Sequence, residues 1–352
     1  MELAIGKADF ARALSGVAKA IEARKTIPIL DCVLLTTDET GLRVRGTDLD
    51  IEIIDRAPAD IAKAGSLCVN AKLLSSIVSK AAGDISLSVK DDKLVVKSGK
   101  SRFTLGWLPA SDYPSMQDAA YTATFETDLA ALFAPCIHAI STEEVRYYLN
   151  GVYFASAGGS AVAVATDGHR LVKHATDGPP DFAGIIVPRK AVGLLPKGGV
   201  TVSVSDSKIR IEAGDLAIVS KLIDGTFPDY ERVIPQNNDK IITFGSEDMR
   251  GAVGRVSVIS AERGRAVRCA FAAGGATLTV NNPDSGTATD EIPVTYTGAP
   301  IDIGLNGQYL AEMVAQFPPG DVSLALADPG TPTIFTSEKA PGLIGVVMPV
   351  RV

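Results

Sequence analysis

The sequence predicts an α+β protein made of three repeated domains, each with two helices packed on antiparallel sheets. Three observations predict this fold class. Amphipathic helical segments recur at a spacing of about one domain. Each is followed by a matching polar turn, and then by segments in which apolar and polar residues alternate. Because the blocks come in the same order three times, chance similarity among ordinary α+β segments is improbable.

The first helix of each repeat has apolar residues three and four positions apart, which predicts an amphipathic helix. By repeat, these residues are Phe10, Leu14, Val17 and Ile21; Leu129, Leu132, Phe133, Ile137 and Ile140; and Met249, Val253, Val256 and Ile259. The second of these helices also contains Pro135, which lacks a backbone donor and should kink it.

Polar turns recur roughly every 115–120 residues, which is the size of one small domain. They read GTDLDIEI at 46–53, ATDGHRLV at 165–172 and VNNPDSGTATDEI at 280–292. In the second half of each repeat, a strand runs into a short helix. These segments are LCVNAKLLSSIV at 67–78, IIVPRKAVGLL at 185–195 and IGLNGQYLAEMV at 303–314.

Alternating strands complete each repeat, because every second residue is apolar and one face is therefore buried. The apolar sets are Ile85, Leu87 and Val89; Val200, Val202 and Val204; and Val322, Leu324 and Leu326. The repeats place the three domains at residues 1–120, 121–241 and 242–352.

Charge is divided unevenly between the helices and the rest of the chain. The 352 residues carry a formal net charge of −7. The six helix-bearing segments sum to +8, so the remainder carries −15. A basic helical surface on an acidic body can attract phosphate. Each basic helix alone is equally compatible with an ordinary solvated face.

Composition excludes several classes of protein. Cys32, Cys68, Cys136 and Cys269 lack the spacing of a disulfide framework or a zinc site, which predicts buried, reduced thiols. The amino-terminal segment lacks the apolar core of a secretory signal, and no apolar run is long enough to span a membrane. We therefore expect a cytoplasmic protein with no metal and no cofactor.

Two motifs suggest catalysis but lack its context. Gly99-Lys100-Ser101 resembles the end of a phosphate-binding loop, yet position 94 is Leu where the motif needs Gly, and strand patterns flank it. Asp167-Gly168-His169-Arg170 offers an acid, a base and a cation, but no nucleophile in a recognisable setting accompanies them. We interpret the first as a strand edge and the second as a structural turn. A hydrolase or NTPase is the minority interpretation.

The whole chain resembles the bacterial DNA polymerase III beta subunit family, the sliding clamps. The motifs that carry the resemblance are TIPIL at 26–30, GTDLDIE at 46–52, SRFTLGWLPASDYP at 101–114, VRYYLNGV at 145–152, ATDGHRL at 165–171, IVPRK at 186–190, KLIDGTFPDYERVIP at 221–235 and MPVRV at 348–352. Each is weak alone, and the ordered set is specific.

The resemblance implies a non-catalytic processivity factor. Two protomers would associate head to tail into a ring of six clamp domains, with the basic helices facing encircled double-stranded DNA. It also implies a peptide pocket for the polymerase III alpha subunit, the clamp loader, other polymerases and repair proteins. The alternative is a clamp-fold paralogue or scaffold that is no longer loaded on DNA.

The resemblance also implies site residues. The pocket would contain Leu149, Thr166, Gly168, His169, Arg170, Leu171, Pro228, Arg232, Val233, Val346 and Met348, with Pro349, Val350 and Arg351 beside it. The residues facing DNA would be Arg24, Lys72, Tyr148, Arg189, Lys190, Arg263 and Arg265. The ring interface would join Phe103 and Leu105 of one protomer to Val258 and Ile259 of the other. The apolar end, Val346–Val350, is unusual for a terminus and either completes a strand or lines a pocket, and the resemblance implies the pocket.

Overall fold

The structure is a computed structural model that describes residues 1–21, 27–116, 119–260 and 266–352. It divides into two compact units. The first unit comprises Met1–Asp128 and Gly193–Leu222, and the second comprises Leu129–Val192 and Ile223–Val352.

The first unit contains two antiparallel sheets. The five-stranded sheet has the order β5 (Ala59–Lys63), β1 (Glu2–Ile5), β7 (Ile85–Lys90), β8 (Lys93–Ser98) and β9 (Ser101–Leu105). The eight-stranded sheet has the order β10 (Ala123–Thr127), β15 (Val200–Val204), β16 (Lys208–Ala213), β17 (Leu216–Lys221), β4 (Ile51–Ala57), β3 (Gly41–Thr47), β2 (Cys32–Asp38) and β6 (Ser66–Asn70).

The second unit also contains two antiparallel sheets. Its eight-stranded sheet has the order β14 (Phe182–Pro188), β11 (Gly151–Ala157), β12 (Ser160–Thr166), β13 (Arg170–Asp177), β25 (Leu343–Val347), β24 (Thr333–Thr336), β23 (Asp321–Leu326) and β18 (Lys240–Gly245). Its four-stranded sheet has the order β21 (Gly286–Pro293), β20 (Gly275–Asn282), β19 (Ala266–Ala272) and β22 (Ile301–Asn306).

The strand alternation predicted from sequence is confirmed. Ile85 and Leu87 are buried, as are all three apolar residues of β15 and of β23, whereas Val89 is half-buried near the end of β7. Gly99-Lys100-Ser101 lies at the hairpin between β8 and β9, where Gly99 has a φ of +54°. This segment is therefore a strand edge, as interpreted, and lacks the strand-to-helix context that a phosphate loop requires.

Within the described residues, six α-helices pack on these sheets. They are α1 (Lys7–Ala18), α2 (Ala71–Ser79), α3 (Leu129–Phe133), α4 (Arg189–Val192), α5 (Ser246–Val256) and α6 (Gly307–Val314). The predicted apolar faces of α1 and α5 are buried, but the helices end before Ile21 and Ile259. Asn70 and Asn306 cap α2 and α6, because each side-chain oxygen accepts from backbone N–H groups of the first turn.

The first helix of the central repeat is shorter than predicted. We expected a kink at Pro135, but α3 ends at Phe133 and the chain continues as a 3₁₀ turn over Ala134–Ala139. Proline near the start of that turn removes a donor that a continuing α-helix would need. The buried face nevertheless persists, because Phe133 packs edge-on against Phe154 with ring centroids 5.3 Å apart.

The four cysteines are buried free thiols, as predicted. Burial raises the pKa of Cys68 and of Cys269 to about 12, so these thiols stay protonated and unreactive at neutral pH. Among the described helices, none is long and apolar enough to cross a membrane.

The repeats meet at equivalent strands. In the first unit, β17 pairs with β4, the strand that follows the turn at Thr47. In the second unit, β25 pairs with β13, the strand that follows the turn at Thr166. By the same repeat, the third such pair would be β9 and β21. Both of these strands lie at the edge of their sheets.

Candidate functional site

An apolar pocket of about 260 Å³ opens on the second unit. Four segments that are far apart in sequence build it: the stretch from Arg146 to Leu149, the turn between β12 and β13, the stretch from Pro228 to Val233, and the end of β25 with Met348. Its lining consists of Arg146, Tyr148, Leu149, Thr166, Gly168, His169, Arg170, Leu171, Pro228, Tyr230, Val233, Val346 and Met348. We refer to this set as the apolar pocket.

The turn from Thr166 to Arg170 forms one rim through local hydrogen bonds. Thr166 Oγ1 donates to the Arg170 carbonyl (2.7 Å) and accepts from the Gly168 amide (3.1 Å). Asp167 Oδ1 accepts from the amides of His169 (2.9 Å) and Arg170 (3.0 Å). Gly168 has a φ of +88°, and a Cβ there would lie 2.5 Å from Nη1 of Arg146. The turn therefore requires glycine at this position.

The floor of the pocket is part of the sheet. Leu171 on β13 lies opposite Val346 on β25, and both side chains are buried. They pack in a small core that also includes Val164 and the half-buried ring of Tyr230. Because side chains of paired strands are held in register, the floor is a rigid apolar surface.

Arg170 fastens the rim to α6. Its guanidinium donates to Asp167 Oδ2 (3.0 Å) and to Glu312, and it lies 4.4 Å from the centroid of the Tyr309 ring. Burial alone would raise the pKa of Glu312, but hydrogen bonds from Arg170 and Gln308 outweigh burial and hold that pKa below its usual value. Because the Arg170 guanidinium is buried and already bonded to Asp167 and Glu312, its main role is to hold the rim turn against α6.

Met348, the first residue of the C-terminal tail (Met348–Val352), forms one wall of the pocket. The Met348 amide donates to the His169 carbonyl (2.8 Å), which holds the tail against the rim turn. The Met348 side chain is 37% exposed, so a large flexible apolar group faces the opening. A thioether chain of this kind can repack around different ligands.

Comparison with known proteins identifies the family. The chain matches all three domain models of the DNA polymerase III beta subunit: the N-terminal domain over residues 1–117, the central domain over 126–229 and the C-terminal domain over 231–351. The chain belongs to the beta sliding clamp family. Its three clamp domains are the three repeats predicted from sequence, and its function is that of a DNA sliding clamp.

Relatives and solved structures agree with this membership. The chain is 42% identical to the beta sliding clamp of Caulobacter vibrioides and 31% identical to that of Escherichia coli, with complete coverage of both sequences in each case. It superposes on a sliding clamp from Bartonella birtlesii bound to griselimycin with a TM-score of 0.95 at 38% identity, covering all of both chains. It superposes on a Caulobacter crescentus clamp with polyethylene glycol bound to a putative beta-motif tethering region with a TM-score of 0.96 at 40% identity. Here the coverage is 100% of this chain and 99% of that one.

Most of the pocket residues predicted from the clamp resemblance converge in this structure. Pro349, Val350 and Arg351 lie in the tail beyond the lining, and Arg232 points away, 86% exposed and paired with Asp229 (2.7 Å). Three lining residues were not predicted for the pocket: Arg146, Tyr148 and Tyr230. All three fall within motifs that carried the resemblance, VRYYLNGV and KLIDGTFPDYERVIP, so these motifs could have pointed to them.

The structure describes four of the seven residues predicted to face DNA in a clamp. Lys72 is exposed on α2, Arg189 is exposed and Lys190 half-buried on α4, and Tyr148 lines the apolar pocket. Arg24, Arg263 and Arg265 lie outside the described residues.

The predicted clamp interface combines exposed and buried groups. Phe103 on β9 is 38% exposed and Val258 is 82% exposed, whereas Leu105 is buried and Ile259 half-buried. Val258 and Ile259 lie in a 3₁₀ turn after α5, and Asn282 Nδ2 donates to the Ile259 carbonyl (2.6 Å).

Proposed function

We propose that this clamp is a non-catalytic ring of two protomers that encircles duplex DNA and binds short linear peptides in the apolar pocket. The peptides would belong to the DNA polymerase III alpha subunit, the clamp loader, other polymerases and repair proteins. The observation that carries the proposal is the pocket itself, which brings four distant segments together around an apolar floor.

The chemistry of the pocket suits a peptide anchor. Leu149, Leu171, Pro228, Val346 and Met348 supply apolar surface for one or two inserted side chains. Backbone groups and a few polar side chains at the rim can orient the peptide. Each Leu or Phe side chain buried by the partner would contribute about 1.5–3 kcal/mol to binding.

The repeat supports a closed ring. The β17–β4 and β13–β25 pairs join equivalent strands within the chain, and in the part of the chain that the structure describes β9 and β21 each have one unpaired edge. Exposed strand edges favour pairing with another chain. Pairing β9 of one protomer with β21 of the next would repeat the same junction head to tail, and two such junctions would close a dimer.

The charge pattern supports encirclement without sequence recognition. The helix-bearing segments are basic on balance, and the remainder of the chain is acidic. Contacts made only with phosphates attract DNA in a salt-dependent way and carry no base information. Such a surface lets a ring slide, while topology rather than affinity keeps it on DNA.

We expect a labelled peptide containing Gln and a Leu/Phe pair to bind the protein saturably at one site per protomer, as measured by fluorescence anisotropy. Replacing the Leu and Phe by Ala should weaken binding at least about a hundredfold, because the apolar burial is lost. If the Ala peptide bound as tightly as the parent, a largely apolar anchor in this pocket would be the wrong explanation.

A further inference from the structure

The C-terminal tail has a second attachment beyond the rim of the pocket. The Val350 amide donates to the Gly304 carbonyl on β22 (2.8 Å). β22 forms one edge of the four-stranded sheet, so the tail is bonded to an edge strand. The two attachments, at Met348 and at Val350, lie on either side of Pro349, which has no amide hydrogen to donate.

Gly304 is the residue that makes this attachment possible. A Cβ at Gly304 would lie 2.3 Å from the carbonyl oxygen of Val350 and 2.6 Å from Cγ1 of Val352. The first contact is with backbone, so rotating a side chain cannot relieve it. Any side chain at position 304 would therefore displace the tail from β22.

The clash would be confined to the tail. Neighbouring residues of a strand point to opposite faces of the sheet. Ile303 and Leu305 are buried in the core, so a side chain at position 304 would point the other way, toward the tail. The strand itself would keep its pairing with β19.

We propose that Gly304 is a positioning residue for the apolar pocket. Without a side chain, it lets the tail lie on β22, and this attachment fixes Met348 as the pocket wall. The proposal rests on the peptide-binding function proposed above. Gly304 acts through the tail and does not touch the peptide.

Loss of the Val350 attachment would lower the fraction of molecules whose pocket is ready to bind the peptide. With both attachments, Pro349 is held between two backbone hydrogen bonds and Met348 stays at the wall. With the Val350 attachment lost, the wall forms only part of the time, and apparent affinity falls in proportion to that fraction.

We expect Gly304→Ala to weaken binding of the labelled peptide about tenfold, as it would if the wall formed a tenth of the time. Gly275→Ala is the matched control, since Gly275 starts β20 of the same sheet and a Cβ there would approach only Ile292 O, at 3.9 Å. This control should bind the peptide like the parent protein. The tail of Gly304→Ala should also be trimmed faster by carboxypeptidase, a readout that needs no peptide.

A double-variant cycle separates positioning from general damage. Deleting Val350–Val352 removes the groups that meet Gly304 and leaves Met348, so it should weaken binding about as much as Gly304→Ala. Adding Gly304→Ala to this deletion should then change nothing, because the residues that the added methyl group would meet are already gone. Full additivity of the two changes, or parental affinity in Gly304→Ala, would overturn the role of Gly304. If the parent protein fails to bind the peptide at all, it is the proposed pocket function that fails.

Discussion

Removing Met348 through Val352 should abolish binding of the Gln- and Leu/Phe-containing peptide while leaving the protein dimeric. The deletion takes away the wall of the apolar pocket that Met348 forms and both tail attachments. β25 itself ends at Val347 and stays paired with β13, so the floor persists. We expect an affinity loss of at least about a hundredfold, equivalent to roughly 3 kcal/mol of lost apolar contact.

Fluorescence anisotropy of the labelled peptide tests the loss of binding, and light scattering of the same sample tests whether the protein stays dimeric. Met348→Leu is the matched control, because a swap of similar volume keeps the apolar wall and should cost less than about 1.5 kcal/mol. Unchanged peptide affinity in the truncated protein would show that the pocket is assigned to the wrong place.

Changing Val258 and Ile259 together to Ala should convert the dimer into monomers. Anchors at the centre of an interface often cost about 2 kcal/mol or more each when truncated. The Val258 side chain is 82% exposed in the single protomer and Ile259 is half-buried, so the monomer should remain folded. Light scattering gives the mass, and thermal unfolding checks the fold.

Val145→Ala is the matched control for the interface, since Val145 is 88% exposed but is not among the predicted contacts. The control should remain dimeric under conditions in which the double variant is monomeric. A double variant that stays dimeric at submicromolar concentration would contradict the proposed interface.

Much of the fold could be predicted because it follows from local patterns. Alternation in β15 and β23 and the three-and-four spacing in α1 and α5 reflect burial of one face, which one stretch of sequence records. The end of α3 at Phe133 was harder to predict. Apolar spacing continues past Pro135, and whether the chain kinks or leaves the helix depends on the packing around it.

The site was predictable in outline and less so in its contacts. The rim turn at Thr166–Arg170 follows from turn-forming residues, and the other predicted pocket residues came from the family resemblance. The contact between Arg170 and Glu312 could not be predicted, because the two residues are 142 positions apart and no local pattern joins them. The hydrogen bond between Val350 and Gly304 could not be predicted either, because these residues are also far apart in sequence.

Release from DNA ends tests most directly whether two protomers encircle DNA. The protein is loaded onto a nicked circular plasmid, the plasmid is cut once with a restriction enzyme, and protein bound to DNA is measured before and after at moderate salt. Because phosphate contacts alone are weak and salt-sensitive, we expect retention on the circle and rapid loss after linearisation. Equal retention on the circle and on the open linear DNA would contradict encirclement.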